Sequence, residues 1–407
     1  MRLRIEPSVL KGRVSAPPSK SYAHRMMICS ALAEGMSIIE GISDSEDMNA
    51  TLDCINTLGA MAEHEGRTAY ITGIGQTVKT PGIFDCRESG STLRFMIPVA
   101  LALYDSVSFT GSGRLLERGI AVYEELFSKK GISVKKTDHS IELSGRLLPG
   151  EYDVRGDVSS QFITGLLMAL PILDGDSIIK INGEFESRPY VNITLDTMRQ
   201  FGVSVDEKAD NEYHLKGSGR YRSRKAEAEG DWSNAAFLYA LKYLGNEIEI
   251  LGLNDASRQG DKACIGMFEA LRDGCKTVDI SDCPDLGPVL FAYSALFHGG
   301  IFTGTKRLRI KESDRVLCMQ KELLKFGIKT ESTENTLTVA SGRFKGGISS
   351  PETELDSHND HRIAMALSVM MSVTGGVLKN AEAVKKSYPD FYDVMRDLGM
   401  EVFDETT

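Results

Sequence analysis

One short pattern constrains this fold more than any other: an amphipathic helix that ends in glycine, followed by a β-rich stretch, repeated along the whole chain. The glycines are Gly59, Gly131, Gly202, Gly274, Gly327 and Gly399, and four of their five intervals are about 70 residues. The likeness shows in Phe127-Ser-Lys-Lys-Gly131-Ile-Ser-Val, Met198-Arg-Gln-Phe-Gly202-Val-Ser-Val and Leu324-Lys-Phe-Gly327-Ile-Lys-Thr. Six copies of one unit is the economical reading, and only the short interval from Gly274 to Gly327 does not fit it.

Ahead of each amphipathic helix lies a more apolar one, beginning near Lys20, Ser89, Ser159, Trp232, Asp285 and Asp360. The stretch from Phe162 to Leu170 is apolar nearly all round, so this helix should be buried and the amphipathic one should cover it. Residues 177–181 and 247–251 read as strands between them, which makes the class α/β.

At 407 residues the chain exceeds one core, and its 42% hydrophobic content is ample for two. Its formal charge of -10 argues against non-specific binding to nucleic acid or an anionic membrane, both of which need a basic surface. Residues 1–10 alternate charged with apolar side chains and contain no signal-peptide core, and no window approaches a membrane span. A cytoplasmic location is expected. The seven cysteines include no Cys-x-x-Cys pair, so neither a disulfide framework nor a zinc site is indicated, and mostly buried, reduced thiols are expected.

In an acidic protein, cations that bind anions must be concentrated locally. Pro17-Pro18-Ser19-Lys20-Ser21-Tyr22-Ala23-His24-Arg25 places a lysine, hydroxyls and an arginine at the start of an apolar helix, whose N–H groups and dipole favour a phosphate or carboxylate. An ordinary serine-capped helix with solvated cations is the plain alternative. Glu88-Ser89-Gly90-Ser91-Thr92-Leu93-Arg94 is a small-residue turn into another buried helix, where Gly90 would let a ligand approach the backbone. Ser159-Ser160-Gln161 repeats the arrangement with neutral donors, and Ser187-Arg188-Pro189-Tyr190 adds a hydroxyl.

The segment from Lys306 to Arg315 packs five cations into ten positions. If its first half is a strand, Arg307, Arg309 and Lys311 share one face, while Leu308 and Ile310 point to the core. A helix starting at Lys311 would set Lys311 and Arg315 on one face, where like charges repel unless an anion lies between them. Glu312 and Asp314 resemble acid/base equipment. Asn359-Asp360-His361-Arg362 opens another apolar helix, and Lys386-Ser387-Tyr388-Pro389-Asp390 precedes the last covering one. Asp285 is an N-cap by default, and a general base only if cations lie beside it.

Taken together, these segments resemble the 5-enolpyruvylshikimate-3-phosphate synthase family over essentially the full chain. The resemblance implies an inside-out α/β barrel in two domains, each with three βαβαββ-type repeats and buried helices, closing over substrate at a double-crossover hinge. Residues 1–18 plus 230–407 would form the first domain and 19–229 the second. Lys20, Ser21, Arg25, Ser159, Ser160, Gln161, Ser187, Asp285 and Lys311 would hold shikimate 3-phosphate. Lys20, Gly90, Arg118, Gln161, Arg315, Arg362 and Lys386 would hold phosphoenolpyruvate, with Arg94 and Tyr190 close by. Asp285, Lys311, Glu312 and Lys20 would carry the chemistry, with no metal or other cofactor, in a monomer whose partners are the two small-molecule substrates. The resemblance also makes the pocket a target of glyphosate, the family's inhibitor. Two positions depart from the family pattern: Glu88 replaces a usual Asn before the glycine turn, and Arg307 stands where an Asn often contacts the shikimate phosphate.

The sister transferase acting on UDP-N-acetylglucosamine is expected to carry a reactive Cys in the loop that is here Gly111-Ser-Gly-Arg-Leu-Leu-Glu-Arg118, which has none. A catalytically silent anion-binding protein on the same scaffold would keep the arginines and lose the acid/base residues. Asp285, Lys311 and Glu312 are all present.

Overall fold

The computed structural model describes residues 1–74, 81–209, 211–342 and 350–405. Its α-helices run in pairs: α1 (Lys20–Ala31) and α2 (Glu46–Thr57), α3 (Gly90–Leu103) and α4 (Ala121–Ser128), α5 (Ser160–Ala169) and α6 (Arg188–Gln200), α7 (Trp232–Tyr243) and α8 (Cys264–Asp273), α9 (Gly287–Leu296) and α10 (Arg315–Lys325), α11 (His361–Thr374) and α12 (Phe391–Asp397). The first of each pair is the apolar one, and every residue of α9 is buried. The second shows a polar face. Gly59, Gly131, Gly202, Gly327 and Gly399 follow their helices with φ between +74° and +105°, the left-handed turn that ends a helix and disfavours any other residue. Gly274 is extended instead.

Side chains cap five of the six apolar helices. Ser19, Ser89, Ser159, Asp231 and Asp360 accept from the N–H groups of Tyr22, Thr92, Gln161, Asn234 and Arg362. The exception is α9, which is entered through a tight 3-10 turn, Pro284–Leu286, with no side-chain cap. Asp285 is therefore not the N-cap that its position suggests.

Five four-stranded sheets share one strand order. In one, Ile83–Asp85 and Ser106–Thr110 flank α3 and pair in parallel, and the hairpin of Ser133–Lys136 and Ser140–Ser144 that follows α4 adds antiparallel to them. The remaining unit has a two-stranded sheet, Lys11–Ser15 parallel to Glu247–Leu251, and among the described residues no hairpin after α8. The next strand, Lys276–Asp279, already belongs to the following unit. Five units are thus complete βαβαββ repeats and the fourth is βαβα, which corrects the expectation of six and explains the short interval before Gly327.

The chain divides into two compact units, Met1–Pro17 with Gly230–Thr407, and Pro18–Glu229. Each encloses its own core. Met27, Phe95, Leu166 and Phe201 belong to one, and Phe237, Leu290, Phe302 and Leu367 to the other. Distant strands complete a sheet in each. Lys225–Glu227 pairs in parallel with Met36–Glu40, and Arg2–Ile5 lies antiparallel between Gly376–Lys379 and Val402–Asp404. Among the described residues no helix is long and apolar enough to cross a membrane. Cys275 is exposed and the other six cysteines are buried.

Lys306–Ile310 is a 3-10 turn, not a strand, and Ile310 is 46% exposed while Arg307 is buried beside Leu308. The helix after it starts at Arg315 under an Asp314 cap, so Lys311 lies outside it. The shared helical face expected for Lys311 and Arg315 does not exist.

Candidate active site

In the unit Pro18–Glu229, α1 sets Lys20 in its first turn, where Nζ donates to Asp47 Oδ2 at 2.7 Å. One turn on, the buried Arg25 donates to the Ser21 carbonyl (2.6 Å), the Tyr190 carbonyl (3.1 Å), Thr194 Oγ1 (2.7 Å) and Thr164 Oγ1 (3.3 Å), and its guanidinium lies 5.0 Å from the centre of the Phe95 ring. Every one of these partners is neutral. Burial accordingly pulls the guanidinium down to about 10, with little to oppose it. Beside it, the buried His24 is held well below its usual range, first by burial and then by the charges of Lys20 and Arg25. Ser187 is buried in a left-handed conformation (φ 56°) just ahead of α6.

A second group in this unit forms where α3 and α5 pack closely. Pro98 leaves the Arg94 carbonyl without its helical N–H partner, and Tyr123 Oη lies 2.8 Å from that carbonyl. A Cβ at Gly165 would sit 2.4 Å from the same oxygen, so glycine is needed for this approach. The contact brings Arg94 to Gln161: NH1 donates to Gln161 Oε1 at 2.7 Å, and Gln161 Nε2 donates to Ser91 Oγ at 2.9 Å. A Cβ on Gly90 would lie 2.7 Å from Arg94 NH1 and 2.8 Å from Arg118 NH2. Gly90 thus faces two guanidinium groups. Ser159 caps α5, and Ser160 is buried next to it. The Glu88 carboxyl packs toward Gly113, where an added Cβ would be 2.6 Å away.

In the unit Met1–Pro17 with Gly230–Thr407, Asp285 Oδ1 accepts from Lys311 Nζ (3.2 Å) and Arg315 NH1 (2.9 Å), and Oδ2 lies 3.7 Å from Arg362 NH2. Arg315 is fully buried. It also donates to Glu312 Oε2 (2.8 Å) and, from Nε and NH2, to both oxygens of Asp360 (2.9 and 3.2 Å). Asp360 is itself fixed by Ser313 Oγ at 3.0 Å and by its cap on α11. Burial alone would lower the Arg315 guanidinium, but Asp360, Glu312 and Asp285 raise it well above its usual value. Lys311 goes the other way: burial lowers its ammonium, and Asp285 opposes the shift only in part. Lys386 stands one step aside, donating to the Asn359 carbonyl at 2.7 Å.

Comparison with known proteins bears on what these clusters serve. The family model described as EPSP synthase (3-phosphoshikimate 1-carboxyvinyltransferase) matches residues 5–274 and 272–395. Among curated relatives, the 3-phosphoshikimate 1-carboxyvinyltransferase of Clostridium kluyveri is 41% identical, covering 98% of this chain and 97% of its own, and that of Clostridium novyi is 39% identical with the same coverage. The chain belongs to the EPSP synthase family. Among solved structures, the EPSP synthase of Acinetobacter baumannii superposes with a TM-score of 0.78 at 23% identity over 99% of this chain and all of its own. An enolpyruvyl transferase from Streptomyces tendae reaches 0.78 at 16% over 100% of this chain and 99% of its own, a likeness of fold alone.

In the cluster around Arg315 and Arg362, three groups are not read from the sequence as site residues. Asp360, read only as a helix opening, is the fully buried hub of Arg315. Asn234 accepts from Arg362 NH1 at 3.2 Å. Asp261, buried ahead of α8, has its carboxyl pushed up to about 7, first by burial and then by the Asp285 charge, with Arg362 and a bond from Ser233 opposing. Asp360 lies within the Asn359–Arg362 segment, whereas Asn234 and Asp261 lie outside the cation-rich and serine-rich segments. The one local signal for Asp261 is Gln259-Gly260-Asp261 just before an amphipathic helix.

Proposed function

We propose that the three clusters serve one reaction, the transfer of the enolpyruvyl group of phosphoenolpyruvate to the 5-hydroxyl of shikimate 3-phosphate with release of phosphate. Family membership supports the enzyme class and the pathway, that of shikimate and aromatic amino-acid biosynthesis. The single observation that carries the mechanism is the Asp285 carboxylate shared by Lys311 and Arg315, a base poised among cations.

In this reading Lys20, Ser21, Arg25, Ser159, Ser160, Gln161 and Ser187 hold shikimate 3-phosphate, with Asp285 and Lys311 at its hydroxyls. Arg25 suits the phosphate because its own partners leave its charge uncompensated. Gly90, Arg94, Arg118, Gln161, Arg315, Arg362 and Lys386 receive the carboxylate and phosphate of phosphoenolpyruvate, and Lys20 touches both substrates. Asp285 takes the proton of the 5-hydroxyl as its oxygen adds to C2, with Lys311 sharing that transfer. Glu312 delivers a proton to C3. Glu312 then takes a proton back from the C3 methyl group of the resulting tetrahedral intermediate as phosphate leaves C2, which forms the enol ether. Excluding water strengthens each of these electrostatic contacts. The residues at work are this chain's own, with no metal or redox group in the scheme.

The same reading makes the two units the family's two domains, each an inside-out barrel with its apolar helices inside, and places the enzyme in the cytoplasm as a monomer. The test is a phosphate-release assay with purified protein. Turnover is expected only when shikimate 3-phosphate and phosphoenolpyruvate are both present, and phosphate release with UDP-N-acetylglucosamine in place of the first would overturn the reading.

A further inference from the structure

Arg362 is held loosely for so deeply buried a cation. Its NH1 donates to Asn234 Oδ1 at 3.2 Å, its NH2 stops 3.7 Å from Asp285 Oδ2, and its guanidinium lies 5.9 Å from the centre of the Phe237 ring. Its Nε is buried with no acceptor among the described residues. Asn234 is thus its one direct hydrogen-bond partner there.

Asn234 is completely buried, and its own amide nitrogen also has no acceptor among the described residues. A buried amide that leaves a donor unmet is costly, and an alanine would avoid that cost. What the amide contributes is a carbonyl oxygen at a fixed point. The Asn234 backbone N–H is tied to Asp231 Oδ1 at 2.7 Å. The start of α7 is locked further by Gln259, whose Oε1 accepts from the Trp232 N–H (3.0 Å) and whose Nε2 donates to the Gly230 carbonyl (2.8 Å). Trp232 Nε1 in turn donates to the Asn254 carbonyl at 3.2 Å.

We infer that Asn234 is a positioning residue that holds Arg362 short of a direct hydrogen bond with Asp285, so that the guanidinium stays aimed for an external carboxylate or phosphate and Asp285 stays with Lys311. This rests on the assignment of Arg362 to phosphoenolpyruvate given above. Opposite charges 3.7 Å apart in a water-poor setting attract strongly, and a shift of less than about 1 Å would bring them into a direct hydrogen bond. A neutral oxygen bonded to NH1, the other terminal nitrogen, opposes that shift without cancelling the charge. A carboxylate there would neutralise it.

A double-mutant cycle separates this role from simple packing. Asn234→Ala should raise the KM for phosphoenolpyruvate about tenfold and lower kcat, while the KM for shikimate 3-phosphate stays within about twofold. In an Arg362→Ala background the same substitution should change the phosphoenolpyruvate KM by less than about twofold. Equal effects of Asn234→Ala in both backgrounds, or an unchanged KM in the single variant, would overturn the inference. If Asn234→Ala does not fold, Asn234→Thr, which shortens the acceptor but keeps a polar group, runs the same cycle with the same expected pattern. Arg362→Ala alone tests the underlying assignment: an unchanged KM for phosphoenolpyruvate in that variant would remove Arg362 from the substrate site, whatever Asn234 does.

Discussion

Arg25 and Arg315 are both deeply buried guanidinium groups, one in each unit, and they are held in opposite ways. Arg25 donates only to hydroxyls and carbonyls, and burial lowers it to about 10. Arg315 donates to three carboxylates, and they raise it despite the same burial. A buried charge with only neutral partners costs stability and gains from an arriving anion. A charge bracketed by carboxylates is already satisfied, and what it offers is a fixed frame in which protons can move. Around Arg25 the unit Pro18–Glu229 is arranged to receive charge, although Lys20 nearby is paired with Asp47, and around Arg315 the other unit balances it.

The largest test of this contrast falls on the balanced side. Asp285→Asn keeps the shape and removes the base, so kcat should fall about a thousandfold while both KM values move only a few fold in steady-state assays. Near-normal turnover would show that the network is structural only.

Stability separates the two arginines next. Arg315→Met leaves the buried Asp360 without its cation and takes one from the half-buried Glu312 and Asp285, and should cost about 3–5 kcal/mol in urea unfolding. Arg25→Met removes an uncompensated charge and should stay within about 1 kcal/mol of the parent, yet weaken shikimate 3-phosphate binding about a hundredfold by calorimetry. Similar stability losses in the two variants would erase the comparison.

Within the receiving unit, Gly90→Ala should raise the KM for phosphoenolpyruvate about tenfold, because a methyl group would press on Arg94 NH1 and Arg118 NH2. The last test concerns Asp261. Its folded carboxyl titrates near 7 against 3.8 for the ordinary group, so the stability it allows at pH 4 is lost as pH rises to about 7 and is not regained above it. Asp261→Asn escapes that loss. The melting temperature of the variant minus that of the parent should therefore climb between pH 4 and pH 7 and then level off, and a constant difference would mean that Asp261 does not titrate there.

The repeat was legible because its signals are local: five capping side chains and five left-handed glycines mark helix ends within a few residues. The cation-rich and serine-rich segments were legible for the same reason. The missing hairpin after α8 left a trace only as a short interval, since the sheet it would have extended is completed from Lys11–Ser15, far away in sequence. Lys306–Ile310 misled because an alternating pattern fits a strand and a 3-10 turn equally until the Leu308 and Arg307 burial decides. Asp360, Asn234 and Asp261 were not legible as site groups, because each meets its arginine only through tertiary packing.

The strand Arg2–Ile5 fixes an order of assembly. Residues 18–229 are contiguous and leave the ribosome as a whole unit, ready to collapse. The strand Arg2–Ile5 must wait for partners far along the chain, since its place lies between Gly376–Lys379 and Val402–Asp404. Such distant pairing is slow, and Leu3 and Ile5 stay uncovered while it is pending. Arg2, Arg4 and Glu6, interleaved with them, keep that waiting segment from pairing with neighbouring chains. A fragment of residues 18–229 should thus fold alone by circular dichroism, whereas residues 230–407 should need residues 1–17 supplied. Arg2–Ile5 is thus the keystone of a sheet whose other strands come from the far end of the same unit's sequence.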